Sequence, residues 1–169
     1  MTRKSKSPIL DFWRQSKGAV AVEFALIATV FFLLVAGVID FGYAYYMKQT
    51  ITNASREGAR YGITYRTDSN GVRVAPDAIT SPTIKNYVLK TSAQNGNKGG
   101  FGLKSLLPSN ANPDVTFPTT TPDGYTTGTK GYPIQVKVTA VYHWFMISGF
   151  IPGMADTVTL TASTIMLCE

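Results

Sequence analysis

Residues 19–39 form an uncharged, apolar run broken by a single charge, Glu23. From Asp40 to Gly62 the chain contains no proline and turns amphipathic after Met47, so the pattern predicts one continuous helix from Ala19 to Gly62, with Gly62 as its stop. Its 44 residues would be roughly 66 Å long at 1.5 Å per residue. Beyond it, residues 64–80 and 94–131 are rich in Gly, Asn, Thr, Pro, Ser and Asp and read as connecting segments. Between them Ser81-Pro82 gives a cap and first-turn signal. Ile84, Tyr87, Val88 and Thr91 follow at helical spacing, which predicts a short helix over 82–93. Alternation of apolar and polar residues predicts strands over Ile134–Tyr142 and Thr157–Met166, with Val115–Phe117 as a third. The pattern describes an α+β chain: a long N-terminal helix, transmembrane in its first half, then a small domain with a short helix and an antiparallel sheet.

A bilayer core is about 30 Å thick and takes about 20 apolar residues to cross, and 19–39 supplies 21. Before it stand Arg3, Lys4, Lys6, Arg14 and Lys17 against Asp11 alone. Basic residues collect on the cytoplasmic side of a spanning helix. The expected organisation is therefore a cytoplasmic leader over 1–18, a span over 19–39, a continued helix over 40–62 outside the membrane, and an extracytoplasmic domain over 63–169. Tyr43, Tyr45 and Tyr46 fall where the helix leaves hydrocarbon and match an interfacial aromatic belt. The leader holds a net +4 of the formal +6. The basic balance thus belongs mostly to the leader, and the remaining Lys and Arg are scattered, so nucleic acid is not an expected partner.

Glu23 is costly inside a span and calls for a partner, a water path or a function, the plainer reading being that it snorkels from its place near the helix end. Gly18-Ala-Val-Ala-Val-Glu23-Phe24 resembles the cleavage junction of type IV prepilins, where a membrane peptidase cuts after the glycine. The resemblance implies that Ala19 becomes the new terminus and that Glu23, now fifth, pairs with the terminal ammonium of a neighbouring subunit. One helical turn separates the two positions, about 6 Å, so a small axial offset between subunits brings the charges together. A secretory signal peptide fits less well, because its apolar region is shorter and carries no carboxylate.

Ala54, Gly58 and Gly62 recur every four residues, a small-residue stripe that lets another helix approach closely. Glu57 and Arg60 can pair across one turn, while Arg56 and Arg60 repel weakly. Cys168, the lone cysteine, excludes an internal disulfide framework and reads as a buried small hydrophobe at a strand end. The connection between the two strong strands, 143–154, is unusually apolar. Packing under the domain is its first expected use, a partner contact the second, and the membrane face a further one. One histidine, one cysteine and unpaired acidic residues assemble no metal site or catalytic constellation, so neither an enzyme nor a cofactor is expected.

Three stretches together resemble the TadE-like family of minor pilins, or pseudopilins, of the tight-adherence (Tad/Flp) pilus machinery of bacteria. They are Gly18–Ala28, Ile39-Asp-Phe-Gly42, and Asn53–Tyr61 with Arg56-Glu57-Gly58-Ala59-Arg60. The terminal strands and Glu169 resemble it more weakly, residues 64–131 match nothing, and Ser55 stands where the family often has Ala. The resemblance implies a pilin-like subunit of the bacterial inner membrane, with its N-terminus cytoplasmic and its domain periplasmic. Its partners would be prepilin peptidase, other Tad pilins and pseudopilins, the Tad inner-membrane assembly platform and membrane lipid, serving adhesion. The alternative is an unprocessed, single-pass anchored binding domain.

Overall fold

The computed structural model describes residues 16–64, 66–72, 74–80, 82–116, 131 and 133–168. One helix, α1 (Ser16–Ile63), runs through the whole apolar segment and on into the domain. With no proline in its 48 residues nothing interrupts its hydrogen-bond ladder, and its length is about 72 Å. It ends where side chains take over the last carbonyls. The Thr64 hydroxyl donates to the Arg60 carbonyl at 2.9 Å, and the Arg66 guanidinium donates to the Tyr61 carbonyl at 3.1 Å while lying 4.1 Å from the Tyr61 ring centroid.

Three strands form an antiparallel sheet in the order β1 (Asp114–Thr116), β2 (Pro133–His143) and β3 (Thr157–Leu167). The expected alternation is present. Ile134, Val136, Val138, Ala140 and Tyr142 of β2 are buried on one face, and the register sets Val138 against Ala162 of β3 and Val115 of β1. β1 ends at Thr116, and Phe117 of the expected third strand lies outside the described residues. Cys168 is buried just past β3, as its apolar reading requires.

The short helix α2 (Ile84–Leu89) is tighter than the 82–93 expected. Thr83, not Ser81, caps it: its hydroxyl accepts from the Asn86 N–H at 3.1 Å, and Ser81 lies outside the described residues. Pro82 stands before the cap, its carbonyl taken by the Tyr61 hydroxyl at 2.9 Å. Lys90 turns extended and Thr91 bridges to Phe101, which stops the helix four residues early. A further turn, α3 (Leu103–Leu106), follows Gly102, whose φ of 78° favours glycine.

One stripe of α1 carries the core. Ala36, Asp40, Met47, Ile51, Ala54, Ser55, Ala59 and Gly62 are buried at helical spacing, against β2, β3 and α2. Ser55 is fully buried and bonded to the sheet. Its hydroxyl donates to the Val136 carbonyl at 2.9 Å and shares a hydrogen bond with Thr164 Oγ1 at 2.8 Å. The Ser55 hydroxyl therefore ties helix to sheet.

Candidate assembly surface and the Asp40 clamp

From Gly18 to Leu34 the helix is almost bare of its own domain. Val20, Phe24, Leu26, Val30 and Phe32 are each more than 60% exposed, a state that water would oppose and hydrocarbon would favour. By length and composition the helix Gly18–Ile63, to which this stretch belongs, is able to cross a membrane. Gly18 and Ala19 lie inside the helix, and a Cβ added at Gly18 would meet nothing within 4 Å. Packing among the described residues thus gives no reason for a glycine at that position. Glu23 is exposed on this bare surface beside exposed Phe24, and among the described residues nothing bonds to its carboxylate.

The small-residue stripe has a different setting. A Cβ on Gly58 would stand 2.6 Å from Val88 Cγ2 and 3.2 Å from Val136 Cγ1. One on Gly62 would stand 2.6 Å from Ile134 Cδ1 and 3.0 Å from Ile84 Cδ1. The close approach that Gly58 and Gly62 permit is therefore filled by α2 and β2 of the same chain, and Ala54 beside them is fully buried. Of the neighbouring motif, Ala59 is in the core, and Arg56 and Arg60 are exposed. Glu57 accepts from the Tyr87 hydroxyl at 3.1 Å and stands 4.0 Å from Arg60. That exposed pair adds little to stability.

Sequence reasoning passed over Asp40. It closes the apolar run, is 1% exposed, and points its carboxylate at the connection between β2 and β3. Its Oδ1 accepts from the Phe145 N–H at 3.1 Å, and Oδ2 from the N–H groups of Met146 and Ile147 at 2.9 and 2.8 Å. The Tyr142 hydroxyl donates to the Asp40 backbone carbonyl at 3.0 Å and lies 3.5 Å from Oδ1. A carboxylate at the end of an apolar helix, facing a loop whose backbone donors need acceptors, was the available signal. Around it the rings of Phe41, Tyr43, Tyr142 and Trp144 meet at centroid distances of 5.1–6.0 Å. A crevice of about 550 Å³ joins Ile39 and Tyr43 of α1 to Trp144 and Phe145 of the loop.

Burial alone would raise the Asp40 carboxyl. The backbone donors of Ile147, Met146 and Phe145 and the Tyr142 hydroxyl outweigh it and hold the group below the ordinary carboxylate range. Burial and the Asp40 charge push the Tyr142 hydroxyl up to about 12, so it keeps its proton. The folded chain therefore binds the Asp40 proton less tightly than the unfolded chain. The clamp contributes fully above the unfolded value of about 3.9 and is lost as pH falls through the lower folded value. In a Trp13→Phe background, Trp144 emission should stay flat from neutral pH down to about pH 5 and change only below about pH 4. Asp40→Asn should abolish that transition, and a transition near neutrality would contradict the assignment.

Over residues 18–60 the chain matches the family model described as TadE-like protein. This segment is similar to the TadE-like family. Comparison with curated proteins and with solved structures finds no match. The TadE-like match takes in Gly18, Glu23, Asp40 and the Arg56–Arg60 motif, and it ends before the domain begins. Together with a helix able to cross a membrane, it supports a pilin-like role tied to the Tad pilus, and membrane anchoring.

Proposed function

We propose that the chain is a minor pilin or pseudopilin of the Tad/Flp machinery, cut after Gly18 by prepilin peptidase and assembled through its bare helix. The observation that carries this reading is Glu23: an exposed carboxylate on an apolar helix surface, with no partner among the described residues, five positions after the glycine. Cleavage frees the Ala19 ammonium. Shifted by about one turn, 5.4 Å, that ammonium of one subunit reaches Glu23 of the next, and pairing relieves two charges that hydrocarbon would penalise separately. The domain stays outside the membrane and clothes only one face of the helix from Ala36 onward, which leaves the opposite face, with Val38 and Tyr45, open to neighbouring pilins or the assembly platform. The N-terminus is cytoplasmic, the domain periplasmic, and the biological output is pilus-based adhesion.

Intact mass and N-terminal peptide analysis of the membrane-extracted protein test the first step. The wild-type chain should begin at Ala19 and Gly18→Leu should keep its leader. A full-length chain in both would leave an unprocessed anchor instead. Glu23→Ala should be processed and folded as usual yet be recovered with other Tad pilins at least about tenfold less, the worth of about 1.4 kcal/mol of pairing. Undiminished co-recovery would remove the register role.

A further inference from the structure

We infer that the β2–β3 connection, residues 145–151, is a second membrane contact that dips into the outer boundary of the bilayer beside α1. The inference rests on reading 19–39 as a spanning segment and adds to it a lipid-binding surface on the domain itself.

Three observations carry it. The first is level: Ile147 Cδ1 would lie 3.8 Å from a Cβ on Gly37, and Ala36 is already covered. These residues belong to the apolar run, about 3–5 Å below its end at Ile39 at 1.5 Å per residue. The loop therefore stands alongside the last turn that hydrocarbon would enclose. The second is surface. Phe145 is 81% exposed, Phe150 63%, Ile151 47% and Met146 41%, and no charged residue occurs from Trp144 to Ala155. Core packing, the first expectation for this segment, holds for buried Ile147 and for half-buried Trp144, which packs against the core, and not for Phe145, Met146, Phe150 or Ile151. The aromatic cluster of Phe41, Tyr43, Tyr142 and Trp144 adjoins it, the composition favoured where protein leaves hydrocarbon for headgroups.

The third observation is the backbone. Irregular chain enters a low-dielectric region only if its polar groups are satisfied internally. Here the N–H groups of Phe145, Met146 and Ile147 go to Asp40, that of Trp144 to the Asp156 carbonyl, those of Phe150 and Ile151 to the Ile147 carbonyl, and that of Met154 to Ile151. Pro152 has none to satisfy. With these seven N–H groups paired inside the chain, the loop loses less by leaving water than an unpaired one would, and it gains by sheltering two Phe, a Met and an Ile. A partner protein could cover the same side chains, but the position beside Gly37 puts them against lipid before any partner arrives.

The full chain, carrying Cys168→Ala, is reconstituted in phosphatidylethanolamine/phosphatidylglycerol vesicles with an environment-sensitive fluorophore on single cysteines. The sites are Phe150→Cys and Phe145→Cys in the loop, Leu26→Cys in the span and Val72→Cys on an exposed turn of the domain. Both loop labels should emit to the blue of the Val72 site and be quenched several-fold more strongly by lipids brominated near the glycerol end of the chains. Water-like emission at 145 and 150 with a quenched Leu26 site would overturn the loop contact and leave the span standing. An unquenched Leu26 site would overturn both. Loop labels that are blue-shifted yet untouched by bromolipid would assign the surface to protein and overturn the inference.

Discussion

Asp40→Ala is expected to cost the domain about 3 kcal/mol, because three backbone donors of the loop lose an ionised acceptor at once. The cost stays below the sum of three charged hydrogen bonds, since a released loop can find water for its N–H groups. The same argument orders a second variant. Asp40→Asn keeps one carbonyl oxygen but turns an amide N–H₂ toward the loop donors, and should cost roughly 1–2 kcal/mol. Urea unfolding of the full chain in detergent micelles measures both, and hydrogen exchange at Phe145, Met146 and Ile147 locates the loss. Loop amides that exchange as slowly in Asp40→Ala as in the wild type would show that the carboxylate does not hold the segment.

The second large effect is expected at Gly58. Alanine there regains about 1 kcal/mol of helix propensity, but its Cβ would need space 2.6 Å from Val88 Cγ2 and 3.2 Å from Val136 Cγ1. Both neighbours are β-branched, stiff and fully buried, so neither can swing aside cheaply. Overpacking of about 1–3 kcal/mol wins, leaving Gly58→Ala about 1 kcal/mol less stable and Gly58→Leu about 3 kcal/mol less stable. At Gly62 the intruding atoms are the Cδ1 ends of Ile134 and Ile84, which can rotate. Gly62→Ala should therefore fall within about 1 kcal/mol of the wild type. The informative readout is the order of the two sites in one denaturation series; a Gly62→Ala loss larger than that of Gly58→Ala would contradict the packing described.

How far the sequence reveals this molecule depends on how local each cause is. The helix from residue 16 to 63 and strands β2 and β3 are legible because dozens of residues repeat one period and no proline intervenes. The four-residue recurrence of Ala54, Gly58 and Gly62 is equally plain, but spacing reveals that something comes close, not that it is the chain's own Val88 and Ile134. α2 reads too long because the bridge between Thr91 and Phe101, which pulls the chain into an extended path, is a pairing ten residues apart. α3 has only four residues and gives no periodic signal. Asp40 is hidden for a similar reason. Its partners are backbone N–H groups 105 to 107 residues away, and no side-chain pattern advertises them. The Gly18–Glu23 stretch, by contrast, resembles a known motif in sequence alone, and among the described residues no packing demand accounts for the glycine.

The order in which the chain is made gives the buried stripe of α1 one more consequence. Met47, Ile51, Ala54 and Ala59 are covered chiefly by β2 and β3, which begin at Pro133 and Thr157. At about 5–20 residues per second, the helix is finished some 5–20 s before its cover is complete. A newly made chain therefore has its long scaffold complete while the stripe that holds the core is still uncovered, and passes its most aggregation-prone interval before it has a fold to protect it.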